Sequence, residues 1–291
     1  MAARFVYLTG KGGCGKTLLA ELLAEGARRR GLPVLRLSLD DRDETGSVDG
    51  EPRKPTPTGT LVLDRRTALR NLLASLFRLG FIADRLLDSS SFRAVAEAAP
   101  GVTELVTLAW IEQVGSRLVK GLVVVDGPSS GHAAALLRSP QTVLGLASSG
   151  AIAGAAHNLE QLLTDPRRFR SLVVSTPEDF SLNESQLLST ELAELGVAAL
   201  PPVLNAVYPL HADPAQLAWL EQAANDDQTL VGARWHQQRA RRHASVIEQL
   251  ESADRNAIVI PFLFGGNGQQ PGHERMAAAE RLSGRVLGAF S

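Results

Sequence analysis

The stretch Gly10-Lys11-Gly12-Gly13-Cys14-Gly15-Lys16-Thr17 decides the fold of this chain. It has the Gly-x4-Gly-Lys-Thr spacing of a phosphate-binding loop, in which glycines let backbone N–H groups curl around a phosphate. A strand-like apolar run at 5–8 precedes the loop, and a helix-like run at 18–30 follows it. This order of strand, loop and helix predicts a nucleotide site at the start of the helix, with Leu18 at its edge.

The two lysines of the loop are expected to have different roles. Lys16 is expected to reach the β and γ phosphates of a nucleotide, and the Thr17 hydroxyl to coordinate Mg²⁺. The ordinary motif does not require Lys11. It either adds positive charge where phosphoryl transfer develops negative charge, or is a solvated loop residue.

Length and composition are typical of a globular α/β protein. A chain of 291 residues with 44% hydrophobic content can form one large domain, and we treat 1–291 as such. A net charge of −1 argues against a dedicated nucleic-acid binder, so no nucleic acid is expected as a partner. No run of 18 apolar residues occurs, and the first strand begins too early to leave room for a signal peptide. We therefore expect a cytoplasmic protein without stable membrane insertion.

Apolar runs alternate with stretches of helical period along the chain. This pattern predicts a doubly wound, mostly parallel α/β sheet with helices on both faces. The strands are predicted at 5–8, 34–39, 122–125, 142–146, 171–175, 203–207 and 257–260. The polar stretch 40–59 predicts a loop. Leucines at helical spacing (69, 72, 73 and 76) predict a helical insertion over 64–118, which either packs on the main domain or binds a partner.

Two aspartates follow predicted strands at their carboxyl ends, where doubly wound sheets bind ligands. Asp40 is expected to activate the attacking water and contact the metal, or else to cap a loop. Asp126 has the position of the acid that holds Mg²⁺ through water. The segment after Asp126 is expected to respond to the γ-phosphate, with His132 as a phosphate sensor or a helix-start residue.

Several motifs, in order along the chain, resemble those of the ArsA/Get ATPase family. This family belongs to the SIMIBI class, whose deviant phosphate loop carries the additional lysine. The segment 126–132, Asp-Gly-Pro-Ser-Ser-Gly-His, with Leu-Leu-Arg-Ser-Pro at 136–140, is similar to its switch II. Further similar segments are 100–105, 176–184, 203–209 and 260–262. The pattern most resembles the single-domain bacterial ArsA-like ATPases.

The resemblance implies a dimeric switch that hydrolyses ATP with Mg²⁺ and whose nucleotide state controls an unknown protein client. Lys11 would cross the dimer interface to the nucleotide of the partner. Asp40 would be the catalytic aspartate of switch I, and Asp126 the switch II acid. The adenine would be held by Asn205, Pro261 and Phe262, and an Asn amide can both donate to and accept from adenine.

The sequence also departs from that family, and the departures leave alternatives open. Switch I reads Asp40-Asp41-Arg42-Asp43-Glu44, and extra carboxylates repel a triphosphate. A weakly hydrolysing subunit of a heterodimer with a paralogue is therefore an alternative to a homodimer. The chain has one cysteine, Cys14, which supplies neither a paired zinc site nor the thiolates that arsenite prefers.

Two further questions concern the C-terminus and Cys14. The apolar residues at 282, 286, 287 and 290 have helical spacing. They belong either to the membrane helix of a MinD- or ParA-type positioning ATPase or to a packing helix. Cys14 is either a small filler of the loop or, beside two lysines and a helix N-terminus, a thiol with a lowered pKa.

Overall fold

A computed structural model of the chain describes eleven stretches of it. These are 3–39, 60–63, 67–72, 101–147, 149–209, 215–216, 218–219, 222–223, 230–252, 256–263 and 272–290. Asp40, the loop predicted at 40–59 and the segment 73–100 lie outside the described residues. What the sequence predicts for them stays a prediction.

The described residues include seven strands and seven long helices. The strands are β1 (Arg4–Gly10), β2 (Val34–Ser38), β3 (Thr60–Val62), β4 (Leu122–Ser129), β5 (Phe169–Ser175), β6 (Val203–Val207) and β7 (Ile258–Pro261). The helices are α1 (Lys16–Arg29), α2 (Val102–Gly115), α3 (Ser130–Leu146), α4 (Ala151–Thr164), α5 (Asp179–Glu194), α6 (Val231–Ser252) and α7 (Gly272–Gly288). Residues 67–72 form a further short helical stretch.

The strands form one parallel sheet in the order β3-β2-β4-β1-β5-β6-β7. Side chains alternate between the two faces of a strand, and in β1 both sets are buried. Phe5 and Tyr7 join a core with α2, α3, α4 and α5, whereas Val6 and Leu8 join a core with α1 and α7. Helices therefore cover both faces of the sheet, which confirms the doubly wound α/β class and leaves the carboxyl ends of the strands for a site.

The structure corrects the strand prediction in two places. Residues 142–146, predicted as a strand, form the last turns of α3. Periodicity cannot distinguish a five-residue apolar run from the buried side of a helix. The length of this run is typical of a strand, and the strand prediction was therefore wrong. The edge strand β3 was not predicted, because three residues beside a stretch rich in Pro, Thr and Gly carry too little pattern.

The described part of the segment 64–118 packs against the main core. Trp110 and Ile111 of α2 are 7% and 1% exposed, and Leu69 and Leu72 lie against the same core. These residues favour the packing interpretation over a free helical layer. The limits of an insertion at 64–118 stay a prediction.

The C-terminal helix α7 is a packing helix. Ala279, Leu282 and Val286 are fully buried in the core that α7 forms with α1. The apolar face that a membrane surface would need is thus already covered. Within the described residues, no helix is both long enough and apolar enough to span a bilayer.

Candidate functional site

The glycine-rich loop begins at the carboxyl edge of the sheet, between two neighbouring strands. Gly10, the last residue of β1, lies beside Ser129 of β4 and Val174 of β5. Only glycine fits there, because a Cβ on Gly10 would lie 2.0 Å from the Val174 carbonyl oxygen. The central strand therefore delivers the loop to the middle of this edge, where doubly wound sheets bind their ligands.

The loop leads directly into α1 and exposes the N-terminal end of that helix. Gly15 precedes the helix with φ +91°, and no side chain caps the first turn. A Cβ added at Gly12 or Gly13 would meet no heavy atom of the described residues within 4 Å. Free N–H groups and the positive end of the helix dipole suit an anion such as a phosphate.

Lys16 lies folded over the loop that precedes it. Its Nζ donates to the carbonyl oxygens of Gly10 and Lys11, each at 3.1 Å. These two bonds hold the ammonium above the loop, where it can pair with a bound phosphate. The neighbouring Thr17 is exposed at the start of α1, so its hydroxyl is accessible to a cation.

Asp126 lies near the same edge of the sheet, but inside β4, because this strand continues to Ser129 and does not end at 125 as the sequence predicted. It pairs in register with Leu8 of β1 and Ser38 of β2 and is 6% exposed. Its main-chain carbonyl accepts a hydrogen bond from Leu39 N at 3.1 Å. Asp40 follows Leu39 in the chain and lies outside the described residues, so its predicted catalytic and metal roles stay a prediction.

A buried tyrosine lies beneath the Asp126 segment. The Tyr7 ring contacts the backbone at Gly127, where a Cβ would lie 2.8 Å from the Tyr7 Cζ. Burial, with the negative charge of Asp126 as a second cause, holds the pKa of Tyr7 well above its usual range. Tyr7 is therefore a neutral support for this segment and does not exchange protons near neutral pH.

Asn205 is tied to the loop by a hydrogen bond that the sequence did not predict. Its Nδ2 donates to the Cys14 carbonyl oxygen at 2.8 Å, and the residue is 6% exposed. The register of β6 shifts between Leu204 and Val207, and Ala206 there has φ +58°, a costly conformation for a residue with a Cβ. This irregular backbone directs Asn205 toward the loop.

Aromatic side chains surround the end of β6 and β7. Tyr208 stacks on Phe262 with ring centroids 4.6 Å apart, and Phe262 N donates to the Val207 carbonyl. Pro261 pairs with Val207 at the end of β7. Of the residues predicted to bind the base, Asn205 thus lies within β6, Pro261 ends the adjacent strand β7, and Phe262 follows it.

Sequence reasoning missed a cluster behind these residues. Arg239 of α6 lies over the Tyr208 ring at 4.9 Å and pairs with Glu178 at 2.6 Å. His243 Nδ1 accepts from Tyr208 N at 3.0 Å. The charge pattern around Arg239 in α6 is by itself typical of a solvated helix face, and only the aromatic residues near it indicate another role.

Burial decides the chemistry of Cys14. The side chain is 3% exposed and belongs to the core beneath α1. Burial raises the pKa of the Cys14 thiol, and the opposing effect of Lys16 is smaller. The alternative of a lowered pKa is therefore wrong, and Cys14 is a small apolar filler.

The segment after Asp126 contacts α5 through polar side chains. The Ser130 hydroxyl donates to Glu184, and Arg138 of α3 pairs with Glu191 at 2.7 Å. His132 is exposed near the start of α3. A movement of the β4–α3 segment would thus be transmitted to α5.

The fold and the loop together define a class of protein. A parallel sheet with the order given above, a glycine-rich loop between β1 and α1 and a buried aspartate in the adjacent strand β4 are consistent with a P-loop NTPase. The N-terminal end of α1 and the folded Lys16 lie together at this loop, where proteins of this class bind phosphate.

Comparison with known proteins finds low-identity relatives that are named ATPases. The chain is 24% identical to ATPase BagA of Mycobacterium tuberculosis over 233 residues, which is 74% of this chain and 68% of that protein. It is 26% identical to the arsenical pump-driving ATPase of Acidiphilium multivorum over 70% of this chain and 40% of that protein. An Escherichia coli arsenical pump-driving ATPase is 25% identical over 80% of this chain and 42% of its own length.

No known family profile matches the chain. The low-identity relatives nevertheless support placing it among the ArsA-like ATPases, as its motifs predicted. Because these relatives are named ATPases, they also support ATPase activity for this chain.

Proposed function

We propose that this chain is an ATP-hydrolysing dimeric switch whose nucleotide state controls the binding of a protein client. The observation that carries the proposal is the pair of lysines in one loop. Lys16 folds back over the loop of its own chain, whereas the Lys11 ammonium points away from it onto α5. In this proposal Lys16 serves the site of its own chain, and Lys11 serves the site of a partner.

In this proposal each site residue has a defined task. The loop N–H groups and Lys16 bind the phosphates, and Asn205, Pro261 and Phe262 hold the base. Mg²⁺, which polarises the phosphates when bound, would be held by the Thr17 hydroxyl and, through water, by Asp126. Asp40 would orient the attacking water, and Lys11 of the partner would offset the charge that develops in the transition state.

The route from nucleotide to client runs through the contacts described above. Ser130 and Arg138 follow Asp126 in the chain and contact Glu184 and Glu191 of α5. A shift of this segment with the γ-phosphate would therefore reposition α5, as expected of a nucleotide switch. The client is proposed to be a protein, in the cytoplasm.

A specific observation favours a second candidate function. The predicted switch I, 40–44, carries four carboxylates and one arginine, and like charges near a triphosphate are unfavourable. A chain that binds ATP and hydrolyses it slowly as one half of a heterodimer fits this sequence. The arsenical function in the names of two relatives is not proposed here, because a single buried cysteine offers no thiolate cluster.

The two candidates differ in what the isolated chain does. We would measure steady-state ATP turnover with Mg²⁺ for the wild type, Lys16→Ala and Asp40→Asn, together with the mass of each with and without ATP. The proposal predicts turnover that both substitutions abolish and a dimer favoured by ATP. Full turnover by Lys16→Ala contradicts it, and tight ATP binding without turnover would favour the heterodimer subunit.

A further inference from the structure

The position of Lys11 in the structure depends on an aromatic side chain of the same protomer. The Lys11 Nζ lies 4.0 Å from the centre of the Phe180 ring. Phe180 is the second residue of α5 and is 67% exposed, so its other face is open to solvent. An ammonium over the face of an aromatic ring is attracted by the quadrupole of the ring.

The Phe180 ring is the aromatic side chain that the Lys11 ammonium contacts. Among the described residues Lys11 makes no ion pair. Glu184, one helical turn beyond Phe180, accepts instead from the Ser130 hydroxyl. The cation–π contact therefore decides where the ammonium rests on its own chain.

An exposed phenylalanine at this place has no packing reason to be aromatic. Its side chain is not part of any hydrophobic core cluster of the described residues. Leucine would fit the same exposed position in the first turn of a helix and has the higher helix propensity. The aromatic face is the property that distinguishes Phe180 from such a replacement.

We propose that Phe180 is a positioning residue that holds Lys11 on its own protomer, and that this contact must break before Lys11 can reach the nucleotide of a partner. The inference rests on the proposed function, in which Lys11 acts across a dimer. A contact that stabilises only the Lys11 position of the separate protomer makes dimer formation less favourable by the free energy of that contact. Removing one such contact at an exposed site favours assembly about two- to fivefold, and a symmetric dimer breaks two of them, so the ATP-dependent dimer is expected to tighten about four- to twenty-fivefold.

The substitution Phe180→Leu tests this with little change in size, and Phe180→Tyr is the matched control because it keeps the ring. The dimer dissociation constant would be measured by sedimentation with Mg²⁺ and a slowly hydrolysed ATP analogue. Phe180→Leu should lower the dissociation constant about four- to twenty-fivefold, since both protomers lose the contact, and Phe180→Tyr should leave it near the wild-type value. In a Lys11→Ala background, Phe180→Leu should have no effect, because the two residues act as one pair.

A spectroscopic measurement reads the contact directly. The chain has four lysines, so ¹³C-lysine labelling gives four ε-methylene signals that single Lys→Arg substitutions can assign. The ring current of Phe180 should shift the Lys11 signal upfield in the chain alone. This shift should disappear in Phe180→Leu, persist in Phe180→Tyr and be lost in the wild type when the analogue forms the dimer.

The outcomes separate this inference from the proposed function. An unshifted Lys11 signal, an unchanged dissociation constant in Phe180→Leu, or an equal effect in the Lys11→Ala background would overturn the inference alone. The last result would make Phe180 an interface residue that acts without Lys11. A chain that stays monomeric with nucleotide would overturn the proposed dimeric switch, and this inference with it.

Discussion

Gly15 is the residue at which the loop and the base-binding strand meet. Its φ of +91° is unfavourable for a residue with a Cβ, and that Cβ would lie 2.3 Å from Asn205 Nδ2. Gly15→Ala therefore adds backbone strain and disturbs the bond from Asn205 to Cys14. We expect the free energy of unfolding to fall by about 1–3 kcal/mol and ATP affinity to fall with it.

Gly13→Ala is the matched control for this prediction, measured by urea unfolding and by ATP titration. Gly13 also has a positive φ, +83°, but its Cβ would meet nothing within 4 Å. Gly13→Ala therefore introduces the backbone strain of a positive φ without a steric clash of the added Cβ with a neighbouring side chain of the described residues. Equal losses of stability in the two variants would show that the contact between Gly15 and Asn205 is unimportant.

The Asn205 side chain itself is the second residue that sets the shape of the loop. Asn205→Ala removes the donor to the Cys14 carbonyl, and a buried carbonyl without a partner costs about 1–3 kcal/mol. We expect that loss of stability in urea, with weaker ATP binding by calorimetry. Asn183→Ala, on the exposed side of α5, should change stability by less than about 0.5 kcal/mol. An Asn205→Ala chain as stable as Asn183→Ala would contradict this prediction.

At the scale of elements, the close packing of α1 on α7 depends on Gly26. A Cβ there would lie 2.3 Å from the Ala279 carbonyl oxygen and 2.5 Å from Ser283 Oγ. Alanine favours a helix over glycine by about 1 kcal/mol, but backbone must move to admit the methyl group. We expect the collision to prevail, with Gly26→Ala destabilising by about 1–3 kcal/mol in chemical denaturation.

Gly154 of α4 provides the opposite case. It is exposed, and its Cβ would meet nothing within 4 Å, so Gly154→Ala should stabilise by about 0.5–1 kcal/mol. The two Gly→Ala changes should thus have opposite signs in the same assay. A stabilising effect at both sites would mean that α1 and α7 are not packed this closely.

An element could be predicted from the sequence when adjacent residues specify it, and not when it depends on residues far apart in the chain. The phosphate loop and the strand that precedes it are specified by adjacent residues, and the structure places them as predicted. The end of α3 was assigned to a strand because residues 142–146 read as an apolar run without a distinguishing period. The bond from Asn205 to Cys14 joins residues 191 positions apart and leaves no sequence pattern at either end.

At the scale of the whole molecule, a buried histidine couples stability to pH. His243 is 1% exposed and accepts from Tyr208 N. Burial lowers the pKa of His243, and the charges of Arg239 and Arg242 lower it further against the opposing effect of Glu178. As the pH falls, the imidazole is therefore protonated in the unfolded chain near pH 6.5, before it is protonated in the folded chain. The contribution of neutral His243 to the free energy of unfolding is thus fully present above about pH 6.5 and is lost as the pH falls below it.

Unfolding measured between pH 7.5 and pH 5.5 tests this coupling. The stability of the wild type should fall over this interval, and His243→Gln should be less stable at pH 7.5 but should fall less steeply. Replacing the exposed His132 by Gln should leave the slope of the wild type unchanged. A slope in His243→Gln equal to that of the wild type would contradict this assignment.

The proposal that Lys16 acts in its own chain and Lys11 in the site of a partner is tested most directly by mixing two inactive variants. The Lys16→Ala chain has a damaged nucleotide site but still supplies Lys11 to a partner. The Lys11→Ala chain has an intact phosphate-binding Lys16 but supplies no Lys11 to a partner. Each should be inactive alone, and a mixture should recover ATP turnover, because a heterodimer contains one complete site. A mixture that forms heterodimers by native mass spectrometry and still hydrolyses no ATP would contradict the proposed action of Lys11 across the dimer.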